Sequence, residues 1–372
     1  MKRAPWLVTL MLVTMLVTAG CGLADGETAT DAEDAPGAEC EPGEVDGDLN
    51  LYNWSEYMDP ELISGFEQEA GVDVTETFYD SNETMLAQID AGGAAYDLVV
   101  PSDYMVETMI EADLLVPLNR DALSNLSNLD PDFTAPPFDP DGAYSVAYQW
   151  GTTGLGFSYD VVPDPAQLSW GLIFDPEMGA AVAGQVQMLN DERETLGAAL
   201  KYLGYSLNST DPDEIDEAAQ LVREAKDRIA TFDSDAYDDL LVQGETLIAH
   251  GYSGNFFTAF DAADAWDSFG YGIPIEGGTA WVDNMAIPTT AENVCSAHAF
   301  INYLLDAENG AALTNFNYYA SPNAAAEEFI LAEILEDPAI YPPPDVLDKL
   351  EFIAGVGEAS TLYADAFVEA KS

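Results

Sequence analysis

The sequence predicts an α/β protein made of two lobes with a cleft between them. Stretches with the patterns of strands and helices alternate from Leu49 onward, as they do in lobes built on a mainly parallel sheet. The chain has 372 residues, more than one hydrophobic core usually supports, and 48% of them are hydrophobic, which is enough for packed cores. Two or more crossings between such lobes leave a cleft that closes by hinging.

The first lobe is predicted by strands and helices with clear start signals. An apolar strand at residues 49–52 is followed by Asp59-Pro60, which places a capping residue and a proline at the start of a helix. The next three elements are a strand, a helix and a buried strand, at residues 72–78, 82–89 and 96–100. A third helix follows directly.

The second lobe is predicted by the same alternation after strands that cross between the lobes at residues 144–159. Its elements are a strand at 185–189, a helix from 190 to 202, a helix that begins at Asp211-Pro212, an apolar strand at 246–250 and strand-like residues at 277–288. The helical pattern at residues 291–305 looks like the first lobe resumed.

Five strand ends are predicted to face the gap between the lobes. They lie at residues 53–57, 102–104, 190–194, 251–255 and 281–283. Ligands of open α/β sheets bind beyond the carboxyl ends of the strands. The sequence therefore predicts a ligand site in the cleft.

Trp281 and Asp283 are the clearest candidates for that site. Side chains two apart on a strand share a face, so an indole and a carboxylate should point at the same ligand. An aromatic face beside an anion suits an organic cation. The alternative is a core Trp and a surface Asp. Asp191 and Glu194 share a helix face in the same way, and helix capping alone also explains acids at those positions.

The charge of the chain limits its partners. The formal net charge is -58, from 68 acidic and 10 basic residues. Nucleic acid, anionic membrane surfaces and anionic substrates each need clustered Lys or Arg, so none of them is expected as a partner. The acid excess fits a hydrated surface adapted to high salt, or a field that steers a cationic ligand inward.

The first twenty residues have the form of a secretion signal. Lys2 and Arg3 precede an apolar run at residues 6–17, which is too short for a membrane span. Thr18-Ala19-Gly20-Cys21 resembles the bacterial lipoprotein box, which implies a lipid anchor on Cys21 and a place outside the cytoplasm, in the periplasm or on the outer face of the cell membrane. Residues 21–48 are acidic, with almost no large apolar side chain, and predict a flexible linker.

The remaining cysteines and the histidines do not predict a metal site. Cys40 and Cys295 could pair outside the cytoplasm, and the sequence does not decide whether they do. His250 and His298 form no set of metal ligands. We expect no metal and no other cofactor.

Several motifs, in the same order along the chain, carry a family resemblance. They are Asn53-Trp54-Ser55-Glu56-Tyr57, Asp80-Ser81-Asn82-Glu83-Thr84-Met85, Tyr96-Asp97-Leu98-Val99-Val100-Pro101-Ser102, Asn128-Leu129-Asp130-Pro131, Trp281-Val282-Asp283 and Val356-Gly357-Glu358-Ala359-Ser360. They closely resemble the spermidine/putrescine-binding proteins of bacterial ABC importers, from Leu49 to the end of the chain. The resemblance implies a periplasmic-binding-protein fold of type II, a polyamine in the interlobe cleft, delivery to a membrane permease, and no enzyme activity. We expect a monomer.

The resemblance also implies a set of binding residues. These are Trp54, Ser55, Glu56, Tyr57, Ser102, Tyr104, Asp191, Glu194, Tyr252, Trp281, Asp283 and Tyr319. Tyr252 stands where the family usually has Trp. Asp191 and Trp281 resemble spermidine binders, and Asn255 departs from the putrescine pattern. However, Ile353 stands where spermidine binders usually have Gln. Spermidine is favoured, with putrescine also bound.

Lobe boundaries are predicted from the order of the elements, and two other functions stay open. Lobe 1 is placed at residues 49–151 plus 283–326, and lobe 2 at residues 152–282 plus 327–372. A polyamine sensor or surface-binding protein would share the fold without feeding a permease. A secreted enzyme is disfavoured because no nucleophile with a His partner is present.

Overall fold

A computed structural model of the chain describes residues 36–37, 39–92 and 95–372. The strands are β1 (Leu49–Trp54), β2 (Val74–Tyr79), β3 (Leu98–Val99), β4 (Ser145–Ser158), β5 (Val186–Met188), β6 (Ile229–Phe232), β7 (Ile248–Tyr252), β8 (Phe269–Gly272), β9 (Thr279–Ala286) and β10 (Glu351–Phe352). The helices are α1 (Pro60–Ala70), α2 (Asn82–Asp90), α3 (Asp103–Glu111), α4 (Gly171–Phe174), α5 (Glu192–Leu203), α6 (Pro212–Ala225), α7 (Tyr237–Val242), α8 (Ser253–Ala262), α9 (Val294–Leu304), α10 (Ala307–Asn317), α11 (Ala332–Leu335), α12 (Pro344–Leu347) and α13 (Ser360–Lys371).

Two groups of parallel strands are joined through β4 and β9. The strand order is β2-β1-β3-β9-β4-β7-β5-β6, with β8 paired to β4 and β10 paired to β9. Strands β1, β2 and β3 run parallel to one another, as do β5, β6 and β7. Strand β9 runs antiparallel to both β3 and β4, and β4 runs antiparallel to β7. The crossing strands predicted at residues 144–159 form one long strand, β4, which pairs with β9 in the middle of the sheet.

The helix starts and ends follow the signals in the sequence. The Asp59 carboxylate accepts a hydrogen bond from the backbone N–H of Glu61 at 2.8 Å, and Gly71 ends α1 with a φ of 73°. Asp191 and Asp211 cap α5 and α6 in the same way. Strand β6 and helix α7 lie where no element was predicted, because both are short and lack a clear period.

Two of the hydrophobic cores are built on different groups of parallel strands. One core contains Leu51, Leu98 and Phe300 and packs around β1, β3 and α9. Another contains Trp170 and Leu196 and packs around β5, α5 and α6. The cores hold the strand ends of both groups toward the middle of the molecule.

The flexible linker expected at residues 21–48 is corrected in its last part. Cys40 is buried and forms a disulfide with Cys295 in α9, with 5.4 Å between the two Cα atoms. The Asp46 carboxylate accepts hydrogen bonds from the backbone N–H groups of Cys295 and Ser296 at 3.2 and 3.0 Å. A disulfide and a carboxylate at a helix N-terminus fix this segment without large apolar side chains, which is why composition did not predict its order.

The predicted secretion signal, Cys21 and the linker up to residue 35 lie outside the described residues. Within the part of the chain that the structure covers, no helix is both long enough and apolar enough to cross a membrane.

Candidate ligand-binding site

A cavity lies where the strand ends of the two groups meet. Eleven of the twelve predicted binding residues line it, and Glu56 is the exception. The lining residues are Trp54, Ser55, Tyr57, Tyr79, Asp80, Asn82, Ser102, Asp103, Tyr104, Asp191, Glu194, Ser234, Asp235, Tyr237, Tyr252, Asn255, Trp281, Asp283, Tyr319 and Ile353. Six of them are carboxylates and none is Lys, Arg or His.

Trp281 and Asp283 both face the cavity from β9, as their spacing predicts. Strand β9 pairs with β4, so that Trp281 lies opposite Gly151 and Asp283 lies opposite Gln149. A Cβ atom at Gly151 would lie 2.7 Å from a ring carbon of Trp281. Glycine at this position therefore leaves room for the indole to lie flat against β4.

The Asp283 carboxylate is buried beside polar groups that are not charged. The Ser102 hydroxyl donates to its Oδ1 at 2.6 Å, and Asn82 donates to the Ser102 oxygen at 3.0 Å. The Tyr57 hydroxyl is buried close to this carboxylate. Burial raises the pKa of Asp283 to about 7, and the Ser102 and Tyr57 hydroxyls act in the opposite direction.

Glu194 is held by two threonines behind the cavity. Its Oε1 accepts from the Thr153 hydroxyl and its Oε2 from the Thr279 hydroxyl, both at 2.9 Å. Burial, followed by the nearby charge of Asp191, raises the pKa of Glu194 to about 8. The carboxylate is thus oriented by hydrogen bonds but has no positive partner in the cavity.

Asp191 combines the two roles that the sequence left open. Its Oδ1 accepts from the backbone N–H groups of Arg193 and Glu194 at 2.8 and 2.9 Å, which caps α5. Its Oδ2 makes no hydrogen bond within the described residues, and the side chain lines the cavity. The cap uses only Oδ1, so Oδ2 is left to meet a cation. Burial raises the pKa of Asp191, and a cation bound there would favour its ionised form.

Aromatic rings form the walls of the cavity. The Trp281 ring lies 5.2 Å from the Tyr319 ring and 6.0 Å from the Tyr252 ring, centroid to centroid. On the other side the Trp54 ring lies 4.6 Å from the Tyr79 ring. The Trp54 indole N–H and the Tyr79 hydroxyl both donate to the carbonyl oxygen of Val100, which fixes the two rings at the end of β3.

Asp103 is a cavity residue that the sequence analysis missed. It follows Ser102 at the start of α3, so it falls inside a predicted strand end. Its Oδ1 accepts from the backbone N–H of Tyr104 at 2.7 Å, and burial, opposed in part by that bond, raises the pKa of Asp103 well above its usual range. The other missed lining residues are Tyr79, Asp80, Asn82, Ser234, Asp235 and Tyr237. Tyr79 is the last residue of β2, and Asp80 and Asn82 come after it, at a strand end that was predicted but not used; the others follow β6.

Two residues at predicted strand ends do not line the cavity. Glu56 is exposed and adopts a left-handed backbone with a φ of 56°, and its side chain does not line the cavity. Burial raises the pKa of Asp238 to about 7, and the charge of Glu56 adds to that shift. Arg193, which the sequence placed at the strand end, turns away and stacks on the Tyr363 ring at 4.7 Å.

The histidines lie outside the cavity. His250 packs on the Trp170 ring at 5.1 Å, and burial lowers the pKa of this imidazole to about 3. His298 accepts from the backbone N–H of Asn119 at 2.9 Å. No group of three or more potential metal ligands occurs among the residues that the structure describes.

This fold and cavity define a solute-binding protein of the two-lobed kind, and comparison with known proteins agrees. Residues 61–342 match the family model described as bacterial extracellular solute-binding protein. A spermidine/putrescine-binding periplasmic protein of Escherichia coli (strain K12) is 35% identical over 325 residues, which are 87% of this chain and 91% of that protein. A putrescine/cadaverine-binding protein of Pseudomonas aeruginosa is 36% identical over 310 residues, which are 82% of this chain and 87% of that protein.

A solved structure agrees with these sequence matches. The spermidine/putrescine ABC transporter substrate-binding protein of Streptococcus pneumoniae, in complex with calcium and HEPES, has a TM-score of 0.73 and 33% identity, and the match covers 88% of this chain and 99% of that one. The chain belongs to the bacterial extracellular solute-binding proteins. The family resemblance and the two-lobed type II fold predicted from the sequence are confirmed.

Proposed function

We propose that this chain is the extracytoplasmic substrate-binding protein of an ABC transporter that captures polyamines and delivers them to a membrane permease. One observation carries the proposal: six carboxylates line a cavity that contains no Lys, Arg or His. Burying an anion without a positive partner is costly, and a cationic ligand removes that cost. The names of the relatives from Escherichia coli and Pseudomonas aeruginosa support the same class of ligand.

The spacing of charge and apolar surface favours a polyamine over a metal ion. Polyamines carry ammonium groups at intervals along a methylene chain, so they need separated carboxylates joined by aromatic surface. Asp283 and the Asp191–Glu194 pair are such carboxylates, and Trp281 and Tyr252 stand beside them. We assign Asp283 to an amine within the ligand and the Asp191–Glu194 pair to a terminal ammonium. An ammonium over an aromatic face gains cation–π attraction in addition to the ion pair.

The eleven predicted residues that line the cavity are proposed as ligand contacts, and Asn82, Asp80 and Asp235 are added as lining residues. Glu56 is left out of this set because it is exposed. The preference for spermidine over putrescine is part of the proposal and depends on Ile353, which lines the cavity. The lobes stay proposed at residues 49–151 plus 283–326 and 152–282 plus 327–372. Two hydrophobic cores fit this division, whereas a third packs Phe256 and Phe260 against Ala311 and so joins residues of both lobes.

Secretion, anchoring and the monomeric state belong to the proposal as well. The relative from Escherichia coli is named a periplasmic protein, which supports a place outside the cytoplasm. Cys21 is proposed as the site of a lipid anchor, and the disulfide between Cys40 and Cys295 would then join the tether to α9. Metabolic labelling with palmitate tests the anchor: label should appear in the mature protein and be absent from the Cys21→Ala variant.

Calorimetric titration tests the ligand class. Putrescine and spermidine should bind, whereas glutamate and maltose should not, since the lining offers no cation for a carboxylate and a neutral sugar would leave six carboxylates without a positive partner. Tighter binding of glutamate or maltose than of both polyamines contradicts the proposal. Deletion of the gene separates a transporter from a sensor, because only a transporter's loss abolishes uptake of labelled polyamine.

A further inference from the structure

Thr153 lies behind the cavity and was not named among the candidate residues. It is buried on β4, with 1% of its surface exposed, and it does not line the cavity. Its hydroxyl oxygen accepts a hydrogen bond from the indole N–H of Trp281 at 3.2 Å. The same hydroxyl donates to Oε1 of Glu194 at 2.9 Å. One side chain therefore contacts both the main aromatic wall and a buried carboxylate.

The direction of these hydrogen bonds is fixed by their chemistry. An indole N–H can only donate, so the Thr153 oxygen must accept from Trp281, and its own proton is free to point at Glu194. The second oxygen of Glu194 accepts from the Thr279 hydroxyl at 2.9 Å. A carboxylate that accepts two hydrogen bonds is favoured in its ionised form.

We propose that Thr153 is a positioning residue for cation capture: its hydroxyl fixes the rotation of the Trp281 indole and favours the ionised form of Glu194, so that it orients the aromatic wall and the carboxylate together. The inference rests on the proposed function, because it takes the ligand to be a polyamine cation. Thr153 acts through Trp281 and Glu194 and does not touch the ligand.

Several titratable groups face Glu194 from the elements packed around it. They are Asp191 and Arg193 on α5, Asp103 on α3, Tyr252 on β7 and Tyr271 on β8. Burial raises the pKa values of both tyrosines, so both stay neutral at the pH values used below. Neither Asp103 nor Asp191 makes a hydrogen bond to Thr153, so a substitution there acts on them only through the charge of Glu194. A difference between variants therefore reports on Glu194.

Thr153→Val keeps the shape of the side chain and removes the hydroxyl. Burial already raises the pKa of Glu194 to about 8, and loss of one donor raises it further. Spermidine affinity, measured by calorimetry from about pH 6 to about pH 9, should fall roughly tenfold or more at pH 7, the range for a lost hydrogen bond to a charged group. The pH at which affinity is half its maximum should move upward. Thr153→Ser should restore both values because it keeps the hydroxyl.

Thr152→Val is a matched control on the same strand. Thr152 is equally buried, and its hydroxyl bonds to the Tyr271 hydroxyl at 2.8 Å instead of to Glu194. The Thr152→Val variant should have a lower free energy of unfolding, but the pH dependence of its spermidine affinity should match that of the wild type. An unchanged profile in folded Thr153→Val, or an equal shift in Thr152→Val, overturns the inference. If Thr153→Val does not fold, Thr153→Ala takes its place.

A readout without ligand separates this inference from the proposed function. Tryptophan emission of the ligand-free protein should titrate with Glu194, because the Trp281 N–H and Glu194 share the Thr153 hydroxyl. The midpoint should be higher in Thr153→Val than in the wild type and in Thr153→Ser. If no polyamine binds but this midpoint shifts, the proposed function fails and the positioning role stands. If polyamines bind and Thr153→Val shifts neither the pH midpoint of tryptophan emission nor the pH of half-maximal affinity, only the positioning role fails.

Discussion

Asp283→Asn is the sharpest test of the site because it removes one charge and keeps the size of the side chain. Only 5% of the Asp283 surface is exposed, and no cationic side chain lines the cavity around it. An ammonium bound there would lose its partner inside a buried site. Breaking such a pair costs about 3–5 kcal/mol, so affinity should fall at least ~100-fold.

The loss of affinity caused by Asp283→Asn should become smaller as pH falls. Burial raises the pKa of Asp283 to about 7, so this carboxylate is about nine-tenths ionised at pH 8 and about nine-tenths protonated at pH 6. Binding a cation requires the ionised form. Wild-type affinity should therefore fall up to about tenfold from pH 8 to pH 6 through this group, and the penalty of Asp283→Asn should shrink by the same factor.

Calorimetric titration with spermidine at both pH values measures the effect, and Glu56→Gln is the matched control. Glu56 is exposed and does not line the cavity, so its removal should change affinity little at physiological salt, where exposed charges are screened. Circular dichroism of Asp283→Asn confirms that the protein remains folded. A loss of tenfold or less at pH 8, or an equal loss in Glu56→Gln, refutes the assignment of the site.

Three further predictions follow from the cavity and its supports. In competition, spermidine should displace putrescine from the wild type, and Ile353→Gln should increase that preference by adding a polar contact; a putrescine advantage of tenfold or more reverses the assignment. Replacing Cys40 and Cys295 by Ser should lower the free energy of unfolding by about 2–5 kcal/mol without changing spermidine affinity, as measured by urea denaturation and calorimetry; an unchanged free energy of unfolding contradicts it. Burial raises the pKa of Asp283 to about 7 and of Glu194 to about 8, both above their unfolded values. The stability that these groups give the ligand-free protein is therefore fully present below about pH 4 and is lost as pH rises from there through 7 to 8. Urea denaturation should show a smaller decline in the free energy of unfolding between about pH 4 and about pH 8 in Asp283→Asn than in the wild type, and an equal decline excludes this cause.

Local patterns predicted the parts of the fold that depend on neighbouring residues. The start of α1 needs only Asp59 and Pro60, and the shared face of Trp281 and Asp283 needs only the two-residue period of a strand. The place of Glu56 outside the cavity was not predicted, for the converse reason. Its left-handed backbone turns the chain between β1 and α1, and no sequence period specifies that turn.

Helix capping explains the positions of Asp191 and Glu194 only in part. Their spacing fits a capping box, in which the acid at the third helical position bonds back to the backbone N–H of the cap. Asp191 does cap α5 through one oxygen. Glu194 instead accepts from Thr153 and Thr279, which are 41 and 85 residues away in the sequence. Capping therefore accounts for Asp191 only in part and for Glu194 not at all. The two threonines that orient the Glu194 carboxylate lie on β4 and β9. This orientation therefore forms only once those strands have paired.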